Sequence, residues 1–276
     1  MPFQGNGWRP TQLTRFIKPL GTATGTAVVE TDAGVGYLKA LGNPEGPHAL
    51  ACEFVGTSLA DWLGLPTLDF SLVEVHGDDD IPFLKGGKAE HGPAFISKSE
   101  EDGFPWGGSA QELKAISNSQ DINGLVAIDT WILNCDRYSP DGTRRNLDNV
   151  FFVLHKEAGK GVVLKAIDFT HAFTCGGEIN RRIGFIERIQ HPRIYGLFPE
   201  FRNYLDPDVM RGIAIRLGEF NRVTADRIIG AVPAEWDVNK DSRAAWATFI
   251  TDRAHFLADH LEEILWPQQG LGGLNE

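Results

Sequence analysis

The sequence has few cysteines, no excess of basic charge and no long apolar run, and each shortage excludes a class of protein. Its 276 residues include only Cys52, Cys135 and Cys175, far apart and outside any C-x-x-C pair. This odd number argues against a zinc site or a disulfide framework and favours a reducing compartment, the cytoplasm. Residues 1–10 contain no apolar run preceded by basic residues, so we expect no secretory signal peptide there.

Acidic residues outnumber basic residues by 37 to 26, which gives a formal net charge of −11. Nucleic acids and anionic membranes attract basic surfaces, so we expect neither as a direct partner. No apolar run approaches the ~20 residues that a membrane-spanning helix needs. A hydrophobic content of 42% over this length suffices for one large domain or two tightly packed lobes.

The pattern of apolar residues changes near residue 100. Strand-like segments precede this point, together with one helix predicted over residues 49–63, which Gly64 and Pro66 terminate. The glycine-rich segment 100–108 is the best boundary, and the residues after it are mainly helical apart from a predicted hairpin of strands 149–154 and 162–167. We therefore predict an α+β, bilobal protein-kinase-like fold. Its β-rich lobe with one helix spans residues 1–100, and its larger, mainly helical lobe spans residues 101–276.

Three polar residues in the second half of the chain border apolar segments: Asp136, Asn149 and Asp168. Singly, Asp136 is an ordinary helix-end acid and Asn149 an ordinary turn residue, but a carboxylate that closes an apolar strand, as Asp168 does, has no packing rationale. Carboxylate and amide oxygens bind Mg²⁺, and a further carboxylate can hold a hydroxyl beside a phosphate. The set predicts phosphoryl transfer in which Asp136 orients or deprotonates the acceptor hydroxyl while Asn149 and Asp168 hold Mg²⁺ against the phosphates of ATP.

A lysine and a glutamate upstream suit the same chemistry. Lys39 lies in an apolar strand, where an ammonium group without a partner is costly to bury, and Glu53 lies in an otherwise apolar helical segment. Either residue alone is better explained as a surface charge. Together they predict an ion pair that holds Lys39, the fourth catalytic residue, over the α- and β-phosphates of ATP, with Glu53 as part of the nucleotide site.

A glycine-rich turn at residues 21–25 precedes this lysine. By itself the turn is a weak signal, because its spacing matches neither G-x-G-x-x-G nor the G-x-x-x-x-G-K-[ST] phosphate loop, and a plain hairpin turn is the simpler interpretation. With the other motifs it predicts a short phosphate-covering loop. Its nucleotide-binding residues are expected to be Gly21, Thr22, Thr24 and Gly25.

In this order, the motifs resemble those of the HipA-like kinase family, a bacterial branch of the protein-kinase-like fold. The resemblance rests on Y-L-K-A at 37–40, L-A-D-W-L-G-L-P at 59–66, N-C-D-R at 134–137, N-V at 149–150 and I-D-F-T-H-A-F at 167–173. It implies an ATP- and Mg²⁺-dependent kinase whose acceptor is a Ser or Thr of a protein, with a regulatory protein as a possible partner. A small-molecule kinase on the same scaffold and a non-catalytic nucleotide-binding module are the alternatives.

The sequence departs from ordinary kinases in the catalytic loop. Asp136 and Asn149 are separated by an apparent insertion at residues 139–145, Cys135 stands before the acid, and Thr170 replaces the glycine of D-F-G. The insertion makes either Asn146 or Asn149 a candidate metal ligand. We favour Asn149 because the unbroken apolar strand begins directly after it, whereas Asn146 is expected in a polar, solvent-facing turn.

Overall fold

A computed structural model of the protein describes residues 7–157 and 159–267. An antiparallel five-stranded sheet fills the N-terminal region in the order β1-β2-β3-β5-β4. Lys39 is the last residue of β3 and pairs with Phe95 in the neighbouring strand, which fixes the lysine near the centre of the sheet. The strands are β1 Leu13–Pro19, β2 Ala27–Thr31, β3 Gly34–Lys39, β4 Phe70–Val75 and β5 Gly92–Lys98.

One long helix, α1 Pro47–Leu63, packs beside this sheet. Pro47 suits the first helical turn, which needs no backbone N–H, and Gly64 ends the helix in the left-handed conformation at φ 92°. The helix is buried from Ala49 to Ala60 without a break, so Glu53 is a charged residue in an apolar environment. A Cβ at Gly56 would lie 2.4 Å from the Cβ of Phe169, so a larger side chain there would push away the segment that carries Asp168.

The predicted hairpin forms in the C-terminal region from β7 Val150–Leu154 and β8 Val162–Ala166. A third strand, β6 Gly103–Pro105, pairs with β7 and lies within the segment predicted to be a boundary. This strand is too short for its sequence to show a period of two, and it forms because its partner strand offers a free edge. The division of the lobes at residue 100 stays a prediction, and β6 belongs to the second sheet.

Six helices complete the C-terminal region as the structure describes it, so the predicted α+β class, β-rich first and helical afterwards, is confirmed. Asn221 and Asn239 cap α6 and α7, and each side chain accepts a backbone N–H of the first helical turn. No helix among the described residues is long and apolar enough to cross a membrane. The helices are α2 Ala110–Lys114, α3 Asp121–Trp131, α4 Ile186–Ile189, α5 Pro207–Gly218, α6 Arg222–Gly230 and α7 Lys240–Leu265.

Cys135 and Cys175 are joined as a disulfide, which corrects the expectation from the cysteine number and spacing that disulfides are absent. Their Cα atoms lie 5.7 Å apart although 40 residues separate them in the chain. Sequence spacing could not show this, because the contact arises only when the loop after α3 packs against the segment that follows Asp168. Cys52 is a free, buried cysteine in α1.

Candidate active site

A cleft of about 580 Å³ lies between the five-stranded sheet and the C-terminal region. Its walls come from the turn between β1 and β2, from β3, α1 and β5, and from the ends of β6, β7 and β8. The polar side chains along these walls are Thr22, Thr24, Thr26, Tyr37, Lys39, Glu53, Ser97, Asp136, Asn146, Asp148, Asn149, Asp168, Thr170 and His171. Residues far apart in the sequence therefore meet in one space large enough for a nucleotide.

Lys39 is held between two carboxylates in this cleft. Its Nζ lies 3.0 Å from Oε2 of Glu53 and 3.1 Å from Oδ1 of Asp168. Burial by itself would lower the pKa of Lys39, but the negative charges of Asp168 and Glu53 outweigh it and raise that pKa above its ordinary value. Burial by itself would raise the pKa of the Asp168 carboxyl. The charge of Lys39 and the hydrogen bond from the Thr170 hydroxyl outweigh burial and bring that pKa below its usual value. The lysine is therefore a cation at neutral pH.

Glu53 also fixes the backbone next to Asp168. Its Oε2 accepts the backbone N–H of Phe169 at 2.9 Å, in addition to the bond from Lys39. Asp168 has a left-handed backbone at φ 57°, a conformation that Asp tolerates better than most residues. The glutamate of α1 therefore positions both the lysine and the turn that carries Asp168.

Asp136 is surrounded by hydrogen-bond donors. Asn146 and Asn149 each donate an Nδ2–H to its Oδ2 at 3.0 Å, and Arg144 donates to its Oδ1 at 3.2 Å. The expectation that Asn146 faces solvent is therefore wrong: its side chain is half-buried and lies in the cleft. The inserted loop 139–145 folds back over the acid, which brings both Arg144 and Asn146 to it.

A buried ion pair that the sequence analysis did not find supports this loop. Arg137 Nε lies 2.6 Å from Oδ2 of Asp129 in α3, and both side chains are fully buried. The same guanidinium donates to the carbonyl of Ile167 at 2.9 Å and lies over the ring of Phe169. Arg137 therefore contacts both residues that flank Asp168. The sequence feature that could have revealed this ion pair is Asp129, a carboxylate within the apolar helix α3.

Loss of this ion pair is expected to be among the most destabilising single changes in the protein. Arg137→Met leaves the Asp129 carboxylate buried without its charge partner, and removing one member of a buried pair typically costs ~3–5 kcal/mol of unfolding free energy. The matched control is Arg145→Met, because Arg145 pairs with Glu200 at 2.8 Å on the surface. Such exposed pairs contribute roughly 0–1 kcal/mol. Urea unfolding of both variants measures the difference, and equal midpoints would contradict the structural role of Arg137.

The glycine-rich turn covers one end of the cleft. Gly21, Thr22 and Thr24 lie on its wall, whereas Gly25 has φ 65° and packs against Phe83, where a Cβ would lie 2.9 Å from the ring. The Thr22 hydroxyl accepts the backbone N–H of Thr26 at 2.8 Å and donates to its Oγ1 at 2.9 Å. This hydroxyl is therefore used to shape the loop.

Asn149 and Asp168 suit a magnesium ion. Lys39 and Thr170 both bind Oδ1 of Asp168, and Asn149 uses its amide nitrogen toward Asp136, so the amide oxygen is the atom that can coordinate a cation. Mg²⁺ keeps several waters and takes further ligands from substrate phosphates, so one carboxylate and one amide are enough protein ligands. Residues 7–157 and 159–267 contain no group of three or more His, Cys, Asp or Glu placed to hold a metal by themselves.

Comparison with known proteins agrees with this geometry. The family model described as HipA-like kinase matches residues 30–268, which is most of the chain. The chain belongs to the HipA-like kinase family. The crystal structure of the Helicobacter pylori proinflammatory kinase CtkA is similar to it, with a TM-score of 0.57, 12% sequence identity and coverage of 91% of this chain and 96% of that one. At this identity the likeness shows the fold. No curated protein matches significantly.

The two amides of this HipA-like kinase allow a direct test of the metal site. Asn149 is almost fully buried and immediately precedes β7, so we expect Asn149→Ala to raise the Mg²⁺ concentration needed for ATP to stabilise the protein against heat. Asn146→Ala is the matched control, since it removes an equal bond to Asp136 and is expected to leave the Mg²⁺ requirement unchanged. Thermal shift titrations with Mg²⁺ at fixed ATP measure both. If Asn146→Ala raised the Mg²⁺ requirement and Asn149→Ala did not, the metal ligand would be Asn146, three residues earlier in the chain.

Proposed function

We propose that this HipA-like kinase is an ATP- and Mg²⁺-dependent phosphotransferase that acts on a hydroxyl group, and that the hydroxyl is a Ser or Thr of a protein. The observation that carries the proposal is the contact of Lys39 with Glu53 and Asp168 across one cleft that also holds Asp136 and Asn149. Phosphoryl transfer depends on such positioned charge, because the enzyme mainly orients the reactants and stabilises charge on the phosphoryl oxygens. Family membership supports the protein acceptor.

Each residue has a distinct part in this proposal. Lys39, neutralised on one side by Glu53, binds the α- and β-phosphates of ATP. Asn149 and Asp168 would hold Mg²⁺, which when bound neutralises the charge that develops on the transferred group. Asp136 receives or orients the proton of the acceptor hydroxyl, whose oxygen forms the new bond to the γ-phosphorus as the bond to ADP breaks. The backbone of residues 21–24 covers the phosphates.

The two alternatives differ in where the phosphate goes. A small-molecule kinase would share every residue assigned above and differ only at the acceptor side of the cleft. A non-catalytic nucleotide-binding module would have no use for Asp136. The donors around this acid include Asn146 and Asn149, which hold its carboxylate in one orientation, and this order favours a catalytic role.

Incubation with γ-labelled ATP and Mg²⁺, alone and with cell lysate, tests the proposal. Mass spectrometry of labelled products is expected to locate the phosphate on Ser or Thr of a protein, and EDTA is expected to abolish the label. Label found only in small molecules would favour the small-molecule kinase. Absence of label with any acceptor, together with ATP binding seen by thermal shift, would favour the binding module.

A further inference from the structure

His171 stands beside the catalytic acid, and nothing in the proposed chemistry so far uses it. It follows Asp168 by three residues and its side chain is half-buried on the wall of the cleft. Its Nε2 lies 3.1 Å from Oε1 of Glu45, and its Nδ1 lies 3.3 Å from the Thr170 hydroxyl and 3.8 Å from Oδ2 of Asp136. The imidazole thus stands between a glutamate of the N-terminal region and the candidate base.

Glu45 is presented to His171 by a rigid turn. This turn joins β3, which ends in Lys39, to α1, which carries Glu53. Asn43 holds it, because its side chain donates to the carbonyls of Ala40 at 2.9 Å and Gly46 at 3.1 Å and accepts the N–H of Glu45 at 3.0 Å. The glutamate therefore moves with the strand and helix that carry the nucleotide site.

The charges around the imidazole favour its protonated form. The hydrogen bond that His171 donates to Glu45 raises the pKa of His171 above its ordinary value, burial opposes this, and the charges of Glu45, Asp136 and Asp168 add to the rise. One oxygen of Glu45, Oε2, is buried without a hydrogen-bond partner among the described residues, so the bond at Oε1 is its main compensation. A protonated His171 has a donor at each ring nitrogen, one toward Glu45 and the other toward Thr170 and Asp136.

The two carboxylate oxygens of Asp136 have different hydrogen-bond partners. Oδ2 receives Asn146 and Asn149 and faces His171, whereas Oδ1 has Arg144 as its partner. Arg144 is half-exposed, so it is the donor most easily replaced by an incoming hydroxyl. The two amides that donate to Oδ2, with the His171 imidazole 3.8 Å from the same oxygen, leave Oδ1 as the oxygen that an acceptor hydroxyl can reach.

We propose that His171 is a positioning residue that, hydrogen-bonded to Glu45, orients Asp136 toward the acceptor hydroxyl and ties this orientation to the N-terminal region. This inference rests on the proposed function. It assigns His171 no contact with ATP, so the affinity for ATP is independent of it. Misplacing a reacting group by about 1 Å can reduce the rate ~10²-fold, which sets the upper limit of the effect.

The test measures kcat and the KM for ATP in four variants of the full-length protein. His171→Ala is expected to lower kcat ~10–100-fold while the KM for ATP changes less than about twofold. His171→Asn places an amide donor near the Nδ1 position and is expected to recover part of the loss. Glu45→Gln is expected to give a smaller loss. His155→Ala is the matched control, because His155 lies in the loop between β7 and β8, outside the cleft lining.

A spectroscopic readout separates positioning from a merely structural role. Glu45→Gln removes the negative charge of Glu45 and replaces a charge-assisted hydrogen bond with a neutral one, so the imidazole is expected to lose its proton at a lower pH, as followed by its ring C–H resonances in NMR. The alkaline limb of kcat is expected to move to lower pH with it. Should His171→Ala misfold, Glu45→Gln and His171→Asn still decide the matter.

The outcomes keep the two hypotheses apart. If the wild type transfers phosphate and both His171→Ala and Glu45→Gln keep its kcat, the role of His171 is overturned and the proposed function stands. A rise in the KM for ATP at constant kcat would also overturn it, since it would place His171 at the nucleotide. Absence of any transfer by the wild type would overturn both.

Discussion

Asp136→Asn is expected to reduce phosphoryl transfer ~10²–10⁴-fold, the usual contribution of a positioned general base. The amide keeps the size and shape of the side chain but cannot accept the proton of the acceptor hydroxyl. It can still accept at Oδ1 from one of its neighbours, so the loop is expected to keep its place. In the proposed mechanism Lys39 and the metal ligands bind ATP instead, so the affinity for ATP is expected to stay within about twofold of the wild type.

Single-turnover transfer from γ-labelled ATP measures this effect, with nucleotide affinity from thermal shift beside it. Asp148→Asn is the matched control. Asp148 is an exposed acid on the wall of the same cleft, it lies one residue from Asn149, and neither the sequence nor the structure assigns it a role. Equal rates for Asp136→Asn and the wild type would remove Asp136 from the reaction. Equal losses in the two variants would indicate a general effect of charge in the cleft.

The ion pair between Lys39 and Glu53 could be predicted because each charge contradicts its local environment, whereas the contact of Lys39 with Asp168, expected only as a metal ligand, was not predicted. A lysine in an apolar strand and a glutamate in an apolar helix both need partners, and burial makes those partners one another. The strands and helices that carry them were also predictable, since hydrophobic periodicity and the stop signal at Gly64 are local properties. Prediction from local sequence succeeded where the cost of burying one charged side chain implied a partner of opposite charge.

Contacts that depend on how segments meet could not be predicted in this way. The pairing of Cys135 with Cys175 and the return of the 139–145 loop onto Asp136 require the tertiary arrangement. Asn146 was misjudged for this reason, because a polar turn next to two arginines is typical of a surface. Its neighbours in fact pair with carboxylates, Arg144 with Asp136 and Arg145 with Glu200, and this holds the turn against the site.

The inserted loop changes how Asp136, the proposed base, is held. In the short loops of ordinary kinases the acid and the metal-binding asparagine are five residues apart, so the chain itself keeps them adjacent. Here they are thirteen residues apart, yet their side chains meet at 3.0 Å. Arg137 provides the alternative support, since its guanidinium joins the loop to α3 through Asp129 and to β8 through Ile167. The buried ion pair of Arg137 with Asp129 thus helps to hold the longer loop in place, as the short chain does in ordinary kinases.

Lys39→Ala is expected to abolish most phosphoryl transfer and also to destabilise the protein. The loss of one preorganised charge from a site of this kind costs ~10²–10³-fold in rate. The structure adds the second effect, because removal of the ammonium leaves Glu53 and Asp168 facing each other in a buried site. Removing one partner of a buried ion pair typically costs ~3–5 kcal/mol.

The pH dependence of this loss has a definite sign. Without Lys39, burial raises the pKa of Glu53 with no cation to oppose it, and Asp168 loses the partner that lowers its pKa. Carboxylates whose folded pKa is raised destabilise the fold fully above that pKa, less as the pH falls toward the unfolded pKa, and not at all below both values, where they are protonated in both states. The difference in unfolding free energy between wild type and Lys39→Ala is therefore expected to be larger at pH 8 than at pH 5.

A double variant separates charge from catalysis. Lys39→Ala with Glu53→Gln removes the buried carboxylate as well as its cation, while the glutamine can still accept the N–H of Phe169. It is expected to recover much of the stability lost in Lys39→Ala and none of the transfer, because the phosphate ligand is still missing. Urea unfolding and single-turnover transfer on the same samples provide both measurements. If transfer returned with stability, the lysine would act through the fold; if neither returned, the buried carboxylate would not be the cause of the instability.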